Sequence, residues 1–338
     1  MPIRDQIISV TRGNDLTQEQ AAEAMEEIMT GVATPAQIAA FLTALHLKGE
    51  TEAEIAGMAQ VMREKATPVH HDGPVLDTCG TGGDASGTFN ISTTAAFIAA
   101  GAGATVAKHG NRAMSSTCGS ADVLEGLGVN IELEAEGVAR CLRQAGMGFM
   151  FAPKFHPAMR YAGPVRREIG IRTAFNVLGP LTNPARARHQ VLGVADAKLA
   201  EKLAHALARL DTVHALVVHG HGGLDELALS GPNLVYEVRS GVVRRLPDLR
   251  AEDLGLEPAP REAVLGGSVA ENVALVRAIL SGEEHGPKRD IVLLNSAAAL
   301  VAADRAADLR EGLEQARSTL RNGHAAQRVE QLVAASQG

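Results

Sequence analysis

The sequence of 338 residues has no tryptophan, and aromatic residues make up only 3% of it. That scarcity argues against the stacked aromatic platforms on which single-stranded nucleic acids are bound. A basic balance is missing too. The formal net charge of -7 removes any general attraction to a phosphate backbone, so no nucleic-acid partner is expected. The 3 cysteines, Cys79, Cys118 and Cys141, are too few and too scattered for a disulfide framework or a zinc cluster, and they fit a reducing cytoplasm. Arg4, Asp5 and Arg12 interrupt the first turns, so the apolar core of a signal peptide is absent. The longest uncharged stretch, residues 85–107, is rich in Gly, Ser, Thr and Asn and reads as loop, helix and strand rather than a membrane span. Low-complexity segments and repeats of fixed period are also missing. What remains, 46% hydrophobic and 21% charged, is a globular composition long enough to bury a substantial core in one large or two moderate domains.

Residues 1–68 read as helices with their start and stop signals in place. Thr17 with Gln20 and Thr51 with Glu54 form capping boxes. Thr34 caps a third helix with Pro35 at its first position. Met25, Ile28 and Met29, then Ile38, Phe41, Leu42 and Leu45, then Ile55, Met58 and Met62 recur at helical spacing. These stripes predict a small helical subdomain that packs on itself or on a second copy, with part of residues 160–190 joining it. Residues 69–338 then alternate strands and helices. Strands are expected at 75–76, 104–107, 148–151, 191–194, 215–218, 234–238 and 242–246. Helices are expected at 94–100, 120–127, 136–145, 164–172 and 198–210, with final helices starting at Ser268, Ile291 and Asp308. Residues 175–184 carry prolines and a glycine and are expected to be irregular. The fold class is therefore α/β, a largely parallel open sheet flanked by helices, beside a separate helical subdomain.

The chain is organised around Asp77-Thr78-Cys79-Gly80-Thr81-Gly82-Gly83-Asp84 and its continuation through Thr88 to Asn90, Ile91, Ser92 and Thr93. Glycines between a strand and a helix let a ligand approach backbone N–H groups, and a helix start adds unpaired donors and the positive end of the dipole. This construction suits phosphate or pyrophosphate. A second loop, Lys108, His109, Gly110, Asn111, Arg112, Ala113, Met114, Ser115 and Ser116, leaves the next strand and reaches Ser120 at another helix start. In a parallel sheet the two loops lie side by side beyond the carboxyl ends of their strands. There Lys108 would meet the anion as a point charge and Asn111 would orient a second ligand. Asp225 and Glu226 stand together at a later strand end. Adjacent carboxylates near phosphate point to magnesium, whereas His219 and His221 read as turn residues and not zinc ligands. Arg166 and Arg167 precede residues 170–172, and an arginine facing a cleft there would offer a planar fork to a carboxylate.

Taken together, residues 77–84, 90–93, 108–116 with 119–125, 170–184 and 224–226, with Arg289-Asp290 and Leu293-Leu294-Asn295 near the end, resemble the anthranilate phosphoribosyltransferases, in that family's order and over nearly the whole chain. The one departure is a longer His221-Gly222-Gly223 approach to Asp225. The resemblance implies a nucleoside-phosphorylase-like α/β domain below a helical subdomain that forms a homodimer. It implies transfer of phosphoribosyl from phosphoribosyl pyrophosphate to anthranilate, with Mg2+ as cofactor, in tryptophan biosynthesis. It assigns phosphoribosyl pyrophosphate to Gly80, Gly82, Gly83, Asp84, Thr88, residues 90–93, residues 108–116 and Ser120. Magnesium falls to Ser92, Asp225 and Glu226, and anthranilate to Gly80, Asn111 and Arg166. No dedicated acid or base is implied, and His109 is at most a helper. Two alternatives share the scaffold. A pyrimidine-nucleoside phosphorylase would carry a different phosphate signature at residues 80–84. A non-catalytic nucleotide- or nucleic-acid-binding relative would have no use for the Asp225-Glu226 pair.

Overall fold

The structure is a computed structural model that describes residues 2–113 and 117–338. Four helices come first: α1 (Pro2–Thr11), α2 (Gln18–Met29), α3 (Pro35–Lys48) and α4 (Glu52–Lys65). The last three begin at the expected caps, and Thr34, expected as a simple cap, also forms a capping box with Gln37. The hydroxyls of Thr17, Thr34 and Thr51 accept from the backbone N–H groups of Gln20, Gln37 and Glu54, whose side chains bond back to the cap N–H groups. Glu54 does more than cap. Fully buried, it also accepts the N–H of Leu16 at 2.9 Å and the ammonium of Lys48 at 2.9 Å, tying the α1–α2 turn to the end of α3. Without those donors its burial would be costly.

The α/β region runs β1 (Leu76–Gly80), α5 (Ile91–Gly101), β2 (Val106–Gly110), α6 (Ser120–Gly126), α7 (Ala135–Ala145), β3 (Met147–Phe151), α8 (Ala152–Phe155), α9 (Met159–Ile169) and α10 (Phe175–Leu178). It continues through β4 (His189–Gly193), α11 (Ala197–Ala208), β5 (His214–His219), β6 (Leu234–Arg239) and β7 (Val242–Arg245). The last helices are α12 (Val269–Ser281), α13 (Pro287–Ala302), α14 (Leu309–Arg321) and α15 (His324–Gln337). The sheet order is β3-β2-β1-β4-β5-β6-β7, parallel from β3 to β5 and antiparallel beyond. The order reverses direction between β1 and β4, and the crevice at such a switch point is where open α/β sheets bind ligands.

Alternation along the central strands assigns each face its own core. On β4 and β5, Val191, Leu216 and Val218 join the α5 and α13 core. Leu192, Ala215 and Val217 join the core that contains Met25, Phe41 and Met58. The helical layer thus shares its core with one face of the sheet, through α9, α10 and α11.

Several boundaries differ from expectation. β1 and β2 extend to Gly80 and Gly110, so Asp77, Thr78, Lys108 and His109 belong to strands and not to loops. α9 starts before Pro164 and stops at Ile169, where Gly170 takes a left-handed conformation with φ 65°. Residues 175–178 form a short helix, followed by a 3-10 turn over Gly179–Leu181. Proline is tolerated in that turn because its missing N–H falls at an orphan helix-start position. α6 is capped by Gly119 and not by Ser120, and α13 begins at Pro287, four residues before Ile291.

Candidate active site

The glycine loop leaves β1 at the switch point and is pinned to its neighbours by main-chain contacts. Thr81 N–H donates to the Gly193 carbonyl at 2.9 Å, and its hydroxyl accepts from Ala195 N–H at 3.2 Å. Gly82 and Gly83 take positive φ (62° and 75°), which L side chains adopt at a cost. Further on, Ser86 N–H donates to the Asp84 carboxylate at 3.1 Å, and Gly266 N–H donates to the Gly87 carbonyl at 2.8 Å. The C-terminal segment before α12 therefore lies over the loop. Asn90 opens α5 without capping it. Its amide donates to the Cys118 carbonyl at 3.1 Å and accepts from the Asn272 amide at 3.3 Å, linking the first phosphate loop to the second. Ser92 N–H, expected to be unpaired, is taken by Glu226 Oε1 at 2.9 Å.

Asp225 and Glu226 reach the underside of this loop from the turn after β5. Asp225 Oδ2 accepts from Gly82 N–H at 2.8 Å, and a Cβ on Gly80 or Gly193 would collide with Asp225. The turn itself is held by Asn295 of α13, which accepts Leu227 N–H at 2.9 Å and returns a donor to the Leu227 carbonyl at 2.9 Å. His221 is a turn residue as expected, bonded to the Ser230 hydroxyl, whereas His219 is the last residue of β5 and bonds the Val194 carbonyl. The longer glycine approach closes through a Gly220–Leu224 bridge, with Gly222 and Gly223 at positive φ. Burial, followed by the charge of Asp84, pushes the Asp225 carboxyl up to about 7. Burial and Asp225 push Glu226 well above the ordinary range. Burial also raises Asp77, although Lys108, Asn183 and the His109 N–H oppose the shift.

The second loop is more deeply seated than its sequence suggests. The Lys108 ammonium is buried and bonded to the Thr78 carbonyl, not free in the cleft, and burial lowers its pKa. His109 is buried. Its N–H donates to Asp77 at 3.3 Å, and its ring meets the His156 ring, nitrogen to nitrogen, at 3.2 Å. Burial, with His156 beside it, holds His109 down to about 3, so the ring is neutral at ordinary pH. Arg112 is engaged by Glu125 at 2.7 Å and by Asp122 at 3.1 Å. Asp122 also accepts the N–H groups of Ala113 and Gly119, at 2.9 and 2.8 Å, and so holds both ends of the loop. The Ser120 hydroxyl donates to the Asn111 carbonyl at 3.3 Å. Met114, Ser115 and Ser116 lie outside the described residues.

Two cavities meet here. One, of about 630 Å³, is lined by the glycine loop, Asn90, Ser92, Thr93, Lys108 to Ala113, Ser120, Asp225 and Glu226. The other, of about 430 Å³, lies between the helical layer and the sheet and is lined by Met62, Pro153, His156, Met159, Arg166, Phe175 and Pro180, among others. Cys79, Gly80, Thr81, His109, Gly110, Asn111 and Asn176 line both and form their common wall. Arg166 reaches the second cavity from α9 with its guanidinium over the Phe175 ring, 5.0 Å from the centroid, and burial lowers its pKa. Arg167 also borders this cavity, from a more exposed position. Sequence reasoning missed Arg172, Asn176 and His156 in these walls. It also missed Asn183, which donates to Asp77 at 2.7 Å and to the Ala107 carbonyl at 2.8 Å beneath them. Only the glycine-flanked run 170–184 hinted at the first, second and fourth.

Comparison with known proteins meets this geometry directly. Residues 72–326 match the family model described as glycosyl transferase family, a/b domain, and residues 4–66 match the helical bundle domain of the same family. An anthranilate phosphoribosyltransferase of Roseiflexus castenholzii is 77% identical over 336 residues, covering 99% of each chain. The chain belongs to the anthranilate phosphoribosyltransferase family. The crystal structure of the Thermus thermophilus member superposes with a TM-score of 0.93 at 47% identity, covering 99% of this chain and 100% of that one. The Saccharomyces cerevisiae member, solved in complex with PRPP and Mg, gives 0.89 at 26% identity, with coverage of 99% and 98%. Among the described residues no helix is long and apolar enough to cross a membrane.

Proposed function

We infer that this chain transfers the phosphoribosyl group of phosphoribosyl pyrophosphate to the amine of anthranilate, releasing pyrophosphate, as a step of tryptophan biosynthesis. The observation that carries this reading is the common wall. A cavity of about 630 Å³ bounded by the glycine loop and the acidic pair, and a smaller, more apolar cavity bordered by the Arg166 guanidinium, meet across Gly80 and residues 109–111. The donor lies along the glycine loop, residues 88–93 and the loop 108–116 to Ser120. The acceptor ring lies in the second cavity with its carboxylate toward Arg166 and Asn111. Fixing the ortho carboxylate aims the neighbouring amine at the ribosyl carbon.

The acceptor nitrogen is an aniline, neutral at ordinary pH, and attacks with its own lone pair. A neutral His109 beside a neutral His156 agrees with a reaction that needs positioning more than a strong base. Charge develops on the departing pyrophosphate, where the loop N–H groups and the positive end of α5 stabilise it.

Magnesium fits the residues present. Asp84 Oδ2 is buried without a partner, and the raised carboxyls of Asp225 and Glu226 are relieved by a nearby cation. Asp225 and Glu226, with the Ser92 hydroxyl, would hold the ion. Among the described residues no set of three acidic, imidazole or thiol groups converges to chelate it alone, so substrate phosphate oxygens would complete the site, as is usual for Mg2+. Once bound, the ion neutralises charge on the leaving pyrophosphate.

Ile8, Val32 and Leu47 of the helical layer (residues 1–68) are exposed by 41%, 53% and 80%, and we assign that layer to a homodimer. The free cysteines suit the cytoplasm. Anthranilate-dependent release of pyrophosphate from phosphoribosyl pyrophosphate tests the function. Phosphate-dependent cleavage of a pyrimidine nucleoside in its place would favour the phosphorylase alternative.

A further inference from the structure

The donor cavity is lined by three strongly cationic side chains, Lys108, Arg112 and Arg172. Two of them are already engaged. Lys108 is buried against the Thr78 carbonyl, and Arg112 is held between Glu125 and Asp122. Among the described residues, no carboxylate or carbonyl engages the guanidinium of Arg172. It lies instead directly over Gly83, where a Cβ would collide with Nη1. Gly83 is thus constrained twice, by its φ of 75° and by the approach of a guanidinium to its backbone.

The local chain explains why Arg172 points there. Gly170 ends α9 in the left-handed region. Three residues on, Thr173 N–H donates to the Asn176 side chain at 2.9 Å, while Asn176 N–H donates to the Thr173 carbonyl at 2.9 Å. Arg172 is therefore carried on a short strap fixed at both ends. Arg166 stands before the strap and faces the acceptor cavity, while Arg172 faces the donor cavity. The charge balance calls for it. Asp84, Asp225 and Glu226 line the same cavity, and a phosphoribosyl pyrophosphate adds several negative charges to them.

We propose that Arg172 is a donor-binding residue that contacts the pyrophosphate of the substrate from the rim of the glycine loop. This rests on the function inferred above. A guanidinium forms charge-assisted, bidentate bonds to phosphate oxygens, which a lysine reproduces only in charge.

The test compares wild type, Arg172→Ala and Arg172→Lys. Magnesium pyrophosphate is titrated calorimetrically, and steady-state kinetics are measured for both substrates. Arg172 is exposed, so both variants should keep the wild-type circular dichroism. The Ala variant should bind pyrophosphate about tenfold more weakly and raise the KM for phosphoribosyl pyrophosphate by a similar factor, the modest end for a rim charge. The Lys variant should recover part of that loss, and the KM for anthranilate at saturating donor should move much less. Unchanged pyrophosphate affinity in Arg172→Ala, with an active wild type, overturns the proposal and leaves the function intact. A wild type that releases no pyrophosphate when given both substrates overturns the function, and this inference with it.

Discussion

Asp225→Asn separates the cost of the carboxylate from its use. Burial and Asp84 raise the Asp225 carboxyl from its ordinary 3.8 to about 7. Between those values the unfolded chain is ionised while the native chain retains its proton. Stability without a cation is therefore lost as pH rises from about 4 to about 7, and the full penalty applies above that. At about 1.4 kcal/mol per unit, one carboxylate accounts for a ceiling of about 4 kcal/mol. The amide keeps an oxygen for Gly82 N–H and can donate to Asp84, so the variant loses the penalty and not the contact. With an unfolding entropy of about 2.1 cal/mol/K per residue, that ceiling corresponds to a rise of about 6 °C for this chain. Differential scanning fluorimetry in EDTA at pH 8 should show Asp225→Asn melting a few degrees above wild type, with the gap closing near pH 4. Millimolar magnesium with pyrophosphate should raise the wild-type midpoint and leave the variant nearly unmoved, while turnover in the variant collapses. A variant that melts below wild type in EDTA at pH 8, or gains as much from magnesium pyrophosphate, refutes the assignment.

Three further outcomes are expected. A Cβ on Gly82 would meet no atom within 4 Å, but Gly82→Val must adopt a φ of 62°, so the loss comes from loop geometry. Calorimetry should show a sharp fall in phosphoribosyl pyrophosphate affinity, with anthranilate affected less. Arg166→Ala should raise the KM for anthranilate by roughly ten- to a hundredfold and leave that for the donor nearly constant. An equal effect on both substrates would show that Arg166 serves the closure of the cleft and not the carboxylate. Light scattering should find a dimer at micromolar concentration, and Leu47→Asp, placing a charge on a side chain 80% exposed in the monomer, should shift it to monomer without unfolding it. A monomeric wild type would refute the dimer assignment.

The sequence by itself determined what local chemistry controls. Two capping boxes and the Thr34-Pro35 cap marked the starts of α2, α4 and α3, because a capping hydroxyl satisfies orphan N–H groups wherever the helix is placed. The glycines at 80, 82 and 83 and the pair Asp225-Glu226 were likewise legible as a strand-to-helix loop and an acidic turn, the features on which the proposed phosphate and cation roles rest. Tertiary structure alone decided how these pieces meet. Sheet order reverses between β1 and β4, which brings a turn 143 residues away under Gly82. The loops proved shorter than they read, because strand pairing with β3 and β4 carried β1 and β2 on to Gly80 and Gly110 and buried Lys108 and His109. His156 was invisible for the same reason, and Arg172 was hinted at only by the glycine-flanked run that holds it. Only the packing of α9 and its flanking segments against the sheet gives these two a cavity to face.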